Sequence, residues 1–276
     1  MSVYHRSGLA RVPVGAYLFA VVLVVVYAFP LVFALMTSLK SPLDFLKTPL
    51  TLTRPSCANF PKAWESAHLG NFLANSLVYV TVCTLVSLAG ALVIAFPVAH
   101  GYVRHPGALS AFMLAGLLLP DGTIPLFQMT LKLGLYNTRP GYMLAMLSIG
   151  GLNFTFLVAY LKGLPKDLDE AAILDGCGYL RFVVMIAAPL AKPALASLGI
   201  LTAIGVWNDI ARAIVFLSDS SLYPITKGLY VFSGQYSTNW PLLTAALIIV
   251  AAPLVLLYGA MQKHIIGGIT AGAVKA

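Results

Sequence analysis

Residues 164–193 read L-P-K-D-L-D-E-A-A-I-L-D-G-C-G-Y-L-R-F-V-V-M-I-A-A-P-L-A-K-P, and this stretch decides how the rest of the chain is interpreted. It holds four of the nine acidic residues of a chain in which only 9% of residues are charged. Pro165 fits the first turn of a short helix, because the N–H that proline lacks has no partner there. Gly176 and Gly178 permit a sharp turn, and residues 179–186 predict a second short helix. The pattern fits either a helix–turn–helix knob that docks a soluble partner or an ordinary solvated loop.

Long apolar blocks flank this stretch on both sides and predict an all-α membrane protein. Hydrophobic residues make up 59% of the 276, which is more than a soluble domain of this length can bury. A helix spans a bilayer with about 20 apolar residues and satisfies its own backbone hydrogen bonds in lipid. We predict one transmembrane domain, residues 1–276, with six spans: Val14–Ser38, Phe72–Ala99, Ala108–Leu131, Gly141–Leu161, Ile186–Val206 and Leu242–Met261.

The ends of these blocks bear on how the chain sits in the membrane. The first block is longer than the core of a signal peptide and no small-residue cleavage site follows it, so we interpret it as a retained span. An even number of spans places both termini on the same side. Lysine and arginine divide almost evenly between the two sets of loops, so the positive-inside rule does not fix the orientation.

Composition and motifs disfavour several classes of function. Cys57, Cys83 and Cys177 have neither paired nor metal-like spacing, so we expect no disulfide framework and no metal site. The net charge of +8 is dispersed along the chain, which fits lipid headgroups better than nucleic acid. The sequence contains no phosphate-binding loop of the G-x-x-x-x-G-K-[ST] type and no recognisable catalytic motif. It also shows no obvious chain of intramembrane carboxylates of the kind that a proton-driven carrier uses.

Polar side chains within or beside the apolar blocks are candidates for lining a transport pathway. The third block is interrupted by Pro120-Asp121-Gly122 and by Pro125, and broken helices near polar side chains recur in transport sites. Arg212 follows Asp209 at a spacing that allows a pair on one helix face. For each candidate a packing role stays open as the alternative. The substrate-lining candidates are Asn75, Tyr79, Asp121, Gln128, Asn153, Asn208 and Asp209.

The spacing of the charged stretch resembles that of a known family. The order E-A-A, three residues, G, nine residues, I-x-L-P is typical of permease subunits of ABC importers. Here the pattern has Ala188 where the family prefers leucine. The chain is similar to the carbohydrate-uptake branch, the maltose-type and glycerol-phosphate-type inner-membrane permeases. Further matching pieces are residues 120–125, 133–135, 207–209, 234–236 with Trp240, and the tail 270–275.

This resemblance implies a type I ABC importer permease architecture in a bacterial or archaeal inner membrane. It places the loop 162–189 and both termini in the cytoplasm, where the loop forms the helices that couple the permease to an ATPase. It also implies that the tail 262–276 reaches the ATPase. The implied coupling residues are Glu170, Ala171, Ala172, Asp175, Gly176, Ile186 and Pro189, and those of the tail are Gly272, Ala273, Val274 and Lys275.

The resemblance further implies a set of partners for a chain that is not itself an enzyme. They are a second homologous permease, two ATPase subunits that use ATP and Mg, an extracytoplasmic solute-binding protein, and a sugar or oligosaccharide as substrate. The permease itself is expected to bind no cofactor and no nucleic acid. A glycerol-phosphate-like or other polyol substrate is one alternative. An ion-coupled secondary carrier that works alone, and a membrane enzyme or assembly scaffold, are alternatives of other classes.

Overall fold

The computed structural model describes residues 14–66, 68–118, 122–232 and 239–273, and the regular structure in these ranges is helical throughout. Short 3-10 turns at Ser220–Leu222 and Leu229–Phe232 supplement the main helices. In chain order these helices are α1 Val14–Ser38, α2 Pro42–Lys47, α3 Asn59–Ser66, α4 Leu69–His100, α5 Pro106–Leu118, α6 Thr123–Lys132, α7 Arg139–Met146, α8 Gly151–Leu161, α9 Asp167–Leu174, α10 Tyr179–Leu190, α11 Lys192–Asn208, α12 Ala211–Phe216, α13 Ile225–Gly228 and α14 Trp240–Ala273.

Three helices in the described ranges are each long and apolar enough to cross a membrane: α1, α4 and the Trp240–Gly259 part of α14. Three further candidates are bent pairs of helices, so the described chain holds between three and six spans by length and composition. The sequence predicted one helix for each block. Instead, α7 and α8 meet at a bend of 53°, where Gly151 takes a φ of +61°. The pair α10 and α11 meets at 85°, beside Pro193 in the first turn of α11.

The chain falls into two compact units, of which the first comprises residues 1–63 and 232–249. Within it, α1 buries only Thr37 and Ser38 and exposes its apolar side chains, as expected of a surface that faces lipid or a partner helix. The polar connection after α1 is anchored by Lys40, which is 2% exposed. The Lys40 Nζ donates to the carbonyl oxygens of Thr48 at 2.9 Å and Pro49 at 2.6 Å. The prolines of this connection disfavour a long regular helix, and it holds only the short helices α2 and α3.

The second unit comprises residues 64–231 and 250–276, and α4 is its central helix. This helix packs against α8 and α11, while α5 packs against α8. Small residues lie at these crossings: a methyl group added to Gly199 would stand 3.4 Å from the Leu88 side chain. Small residues at such crossings let helices approach closely. Gly101, with a φ of +83°, ends α4 through the bond from the Tyr102 N–H to the Pro97 carbonyl.

Gly141 allows the closest backbone approach in the second unit. It lies in the first turn of α7, where its N–H donates to the Thr138 hydroxyl at 3.2 Å. A Cβ at this position would lie 2.0 Å from the carbonyl oxygen of Leu135, and a backbone atom cannot move away as a flexible side chain can.

We therefore expect Gly141→Ala to destabilise the protein by about 2 kcal/mol or more, the range of overpacking in a tight site. The folded yield in detergent and the midpoint of thermal unfolding measure this effect. Gly116→Ala is the matched control, because a methyl group there meets no atom within 4 Å. Equal stability of the two variants would contradict this interpretation of the Gly141 turn.

Candidate functional site

The E-A-A segment lies on α9, a short helix that presents one face outward. Glu170 and Ala171 are exposed, and so are the neighbouring side chains Ile173 and Leu174, at 64% and 87%. Ala172 is instead buried in the core of the second unit together with side chains of α4 and α8. Of the two alanines that the sequence assigned to a partner surface, Ala171 is therefore the one that faces outward.

Gly176 makes the turn that ends α9. Its φ of +70° lies in the left-handed region that glycine adopts without strain. The Gly176 N–H donates to the Ile173 carbonyl at 3.0 Å, and the Cys177 N–H donates to the Ala172 carbonyl at 2.9 Å. These two bonds form a Schellman motif, a common end of α-helices. The turn predicted at Gly176 is thus present, and the exposed Asp175 forms the cap between helix and turn.

Ile186 and Pro189 lie on α10, which follows the turn. The segment Val183–Ala187 within α10 is a π-helix, and the Ala188 N–H donates to the Val183 carbonyl five residues earlier. Pro189 has no N–H and cannot donate the regular hydrogen bond of an α-helix. The wider π-helical turn before it accommodates the proline within a continuous helix. Ile186 and Ala188 are half-buried against the core. Ala188, where the family prefers leucine, therefore lies at a position that contacts the core.

A buried ion pair, which the sequence analysis did not identify, holds α9 against the end of α4. The Asp169 side chain accepts hydrogen bonds from the Nδ1 of His100 at 2.5 Å and from the Tyr102 hydroxyl at 2.8 Å. The Nε2 of His100 lies 3.1 Å from the Leu161 carbonyl oxygen. Both ring nitrogens of His100 therefore have an oxygen partner within hydrogen-bond distance. Burial and the bond to Asp169 raise the pKa of Tyr102.

A cavity of about 370 Å³ lies between α8 and α11 in the second unit. Two of the predicted substrate-lining residues, Asn153 and Asp209, line this cavity. The amide of Asn153 is 5% exposed; it donates to the Ser148 carbonyl at 2.8 Å and accepts from the Thr202 hydroxyl at 3.2 Å. Ser148 and Thr202 also line the cavity and were not among the sequence candidates.

The predicted pair of Asp209 and Arg212 is present at one end of this cavity. The Arg212 Nη1 lies 3.0 Å from the Asp209 Oδ2, and the Arg212 N–H donates to the Asp209 Oδ1 at 2.9 Å. The carboxylate thereby also starts the short helix α12, where an anion is favoured by the helix dipole. The cavity thus combines apolar walls with a few convergent polar groups, which is the usual character of a ligand site.

The other described substrate-lining candidates do not lie on this cavity. Asn75 and Tyr79 are buried, and their polar atoms bind the backbone of the segment 221–223. The Asn75 Nδ2 donates to the Ser221 carbonyl at 2.8 Å, and the Tyr79 hydroxyl donates to the Leu222 carbonyl at 2.8 Å. Gln128 and Asn208 are exposed away from it.

One substrate-lining candidate and part of the predicted ATPase-contacting tail lie outside the described residues. Asp121 lies outside the described residues, as do Val274 and Lys275. Gly272 and Ala273 lie in the last turn of α14.

A buried lysine fixes the loop that follows α12. The Lys227 Nζ donates to the carbonyl oxygens of Ala213 at 3.2 Å and Leu217 at 2.5 Å. It also lies 3.8 Å from the centroid of the Tyr223 ring, a cation–π distance. Burial lowers the pKa of Lys227. Because both hydrogen bonds go to backbone carbonyls at the end of α12, we assign this lysine a structural role.

Taken as a whole, the described chain is a multi-pass helical membrane protein with a cavity between helices, lined mainly by apolar side chains with a few polar groups, and a short exposed helix on a charged loop. Comparison with protein families then identifies it more closely. Residues 13–270 match the family described as the inner membrane component of binding-protein-dependent transport systems. The chain belongs to this family of ABC transporter permeases, which are transport components and not enzymes.

Individual relatives are similar over most of their length. The diacetylchitobiose uptake system permease NgcG of Streptomyces coelicolor is 32% identical, with 91% of this chain and 85% of the relative covered. The melibiose/raffinose/stachyose import permease MelC of Bacillus subtilis is 30% identical, with 94% and 95% covered. A chain in the crystal structure of a bacterial ABC transporter for the import of alginate superimposes with a TM-score of 0.82. That match covers 95% of this chain and 99% of the other at 20% identity, so it supports the fold.

Proposed function

We propose that this chain is the permease subunit of an ATP-driven importer for a sugar or an oligosaccharide. Membership of the permease family over residues 13–270 carries the proposal. The two relatives described above are named for the uptake of diacetylchitobiose and of melibiose, raffinose and stachyose, and a third is a trehalose/maltose permease of Thermococcus litoralis, 28% identical over 93% of this chain. Substrates of this chemistry need several hydrogen-bonding groups and a surface for their apolar ring faces.

The cavity between α8 and α11 is the proposed segment of the translocation pathway within this subunit. Asn153, Thr202 and Ser148 offer amide and hydroxyl groups, while Phe156 offers an aromatic wall. The volume of about 370 Å³ lies at the lower end of the range for ligand sites. In this proposal a second, homologous permease supplies the opposite wall of the pathway, and an extracytoplasmic binding protein delivers the sugar.

The outward face of α9 is the proposed contact with an ATPase subunit in the cytoplasm. Its exposed leucine and isoleucine side chains would be buried in a cleft of the ATPase, and the Glu170 carboxylate would meet polar groups at the rim. The Schellman turn at Gly176 and the Asp169–His100 pair make this helix a rigid projection, so that ATP-driven movement of the partner is transmitted to α4. ATP and Mg are bound by the ATPase in this scheme, and the permease binds no cofactor. Both chain termini lie on the cytoplasmic side, and the tail around Gly272 extends towards the same partner.

Co-expression with the neighbouring ATPase and permease genes tests this function. We expect the affinity-tagged chain to purify with the ATPase and the second permease, and the complex in proteoliposomes to take up a sugar only when ATP and the binding protein are present. Uptake by this chain alone, without ATPase, would instead identify an ion-coupled carrier. Uptake of a polyol phosphate in place of a sugar would keep the coupling scheme and change the substrate.

Asn153→Leu is expected to lower the rate of sugar uptake about fivefold, since a lost hydrogen bond to substrate costs about 1 kcal/mol and a factor of ten corresponds to about 1.4 kcal/mol. The amount of assembled complex should stay close to that of the unsubstituted protein. Initial uptake rates at several sugar concentrations measure the effect. Asn208→Leu is the control, because this asparagine is exposed and does not line the cavity. A larger effect of the control than of Asn153→Leu would remove the cavity from the pathway.

A further inference from the structure

A second cavity, of about 220 Å³, lies between α9, the start of α10 and the end of α4. Four aromatic rings line it, those of Phe96, Tyr102, Tyr179 and Phe182. The ring of Phe96 is central, with its centroid 4.9 Å from that of Phe182 and 6.1 Å from that of Tyr102. Because drug-sized ligands need about 300 Å³ or more, this cavity has room only for a small group.

Asp169 adds an unsatisfied carboxylate oxygen to these aromatic walls. Asp169 is almost fully buried, with the residue as a whole 3% exposed, and its Oδ2 contacts His100 and accepts the bond from Tyr102. Its other oxygen, Oδ1, is buried and has no hydrogen-bond partner in the described part of the chain. Buried carboxylate oxygens nearly always have a donor. Because Asp169 lines the cavity, a group bound there is the candidate donor.

The chemistry of the walls selects the charge of that group. The faces of aromatic rings attract cations through the ring quadrupole, and a carboxylate oxygen accepts hydrogen bonds without donating any. The free carboxylate oxygen and the ring faces both accept rather than donate, so a group that carries several N–H donors and a positive charge matches these walls better than an anion does. We infer that this cavity binds a primary ammonium group, whose N–H donates to the Asp169 Oδ1 while its carbon chain contacts the rings.

Two sources supply such a group: the headgroup of an aminophospholipid, or a small free amine. The cavity adjoins the C-terminal end of α4, which is a candidate membrane span. Lipid headgroups lie where such spans leave the membrane. Occupancy would join α9 to α4 and α10 through one ligand. A bound amine would therefore stabilise the position of α9, the proposed coupling helix, independently of the substrate that the permease carries.

Cys177 provides the test, because it lines this cavity and is a free, half-buried thiol. Labelling is measured on the full chain with the substitution Cys57→Ser, which removes the exposed cysteine. Cys83 is left in place because it is buried. The rate of maleimide labelling of Cys177 is measured in nanodiscs of phosphatidylglycerol, with ethanolamine added at increasing concentration. Ethylene glycol is the matched neutral control. At about ten times the dissociation constant, ethanolamine should slow labelling about tenfold, whereas ethylene glycol should not.

A second arm identifies the source of the amine. Protection in discs that contain phosphatidylethanolamine, without protection by free ethanolamine, would assign the site to the lipid headgroup. Protection by free ethanolamine in phosphatidylglycerol discs would assign it to a soluble amine. Unchanged labelling in both arms would overturn the inference.

Two substitutions locate the effect in the cavity. Asp169→Asn keeps the volume and an acceptor for Tyr102 but removes the charge, and it should abolish protection. Tyr179→Leu removes one ring without touching the Asp169–His100 pair and should weaken protection, which keeps the test valid if the first variant loosens α9. Leu174→Ala, on the exposed face of α9 and outside the cavity lining, should leave protection unchanged. Full protection in both Asp169→Asn and Tyr179→Leu would also overturn the inference.

Discussion

Glu170→Lys is expected to leave the permease inserted in the membrane while sugar uptake falls by about a hundredfold or more. The Glu170 side chain is exposed on α9 and takes no part in holding this helix to the core, so the substitution should not unfold the chain. At an interface with an ATPase, however, reversing a charge sets a lysine against groups that are arranged for a carboxylate. Breaking one partner of a charge pair at an interface costs about 2–5 kcal/mol, which is enough to account for this loss.

Asp167→Lys is the matched control for this substitution. Asp167 is also acidic, exposed and in the first turn of α9, so both variants change the net charge equally and weaken the favourable interaction with the helix dipole. Co-purification of the ATPase and ATP-driven uptake are measured for both. We expect Asp167→Lys to retain most of its ATPase and Glu170→Lys to lose it. If Glu170→Lys binds the ATPase and transports normally, the outward face of α9 is not the coupling surface.

Local features of this fold follow from the sequence where short-range rules decide them. The helix α9, the turn at Gly176 and the second helix α10 were all predictable, because proline, glycine and acidic residues fix local backbone geometry. The apolar blocks likewise indicated where the long helices run. The bend between α7 and α8 was not predicted, since hydrophobicity defines the length of a block and says little about its straightness. The break between α10 and α11 follows the predicted order of a short helix before the fifth span, but it falls at Ala191 and not at Ile186.

Residues that act over long sequence distances were the ones that sequence reasoning missed or misplaced. His100 and Asp169 are 69 positions apart, and nothing in either local pattern indicates that they meet. Asn75 was selected as a polar residue at membrane depth, yet its amide holds the backbone of a loop 146 positions away. A buried polar side chain is compatible with a ligand site or with a tertiary hydrogen bond, and only the fold distinguishes them. Asn153 has both properties, because its amide donates a hydrogen bond to the Ser148 carbonyl and it lines the cavity.

Removing one partner of the Asp169–His100 pair is expected to release α9 from the core. Both side chains are nearly inaccessible, at 4% and 2% exposure, so a single substitution leaves a charged or polar partner buried without its counterpart. Such a loss typically costs about 3 kcal/mol or more. Amide hydrogen exchange in α9 reports this local opening directly. We expect exchange to become about a hundredfold faster in Asp169→Leu and in His100→Leu, because each 1.36 kcal/mol corresponds to a factor of ten.

The double variant Asp169→Leu/His100→Leu distinguishes the ion pair from simple packing. Replacing both members of a buried pair by apolar residues is often nearly neutral, because no uncompensated charge remains. Exchange in α9 should therefore be slower in the double variant than in either single one, which a double-mutant cycle would report as a favourable coupling between the two positions. Additive effects of the two substitutions would show that the residues stabilise α9 independently. Tyr102→Phe, which removes only the second donor to Asp169, should accelerate exchange by less than about tenfold, since one ordinary hydrogen bond contributes about 1 kcal/mol.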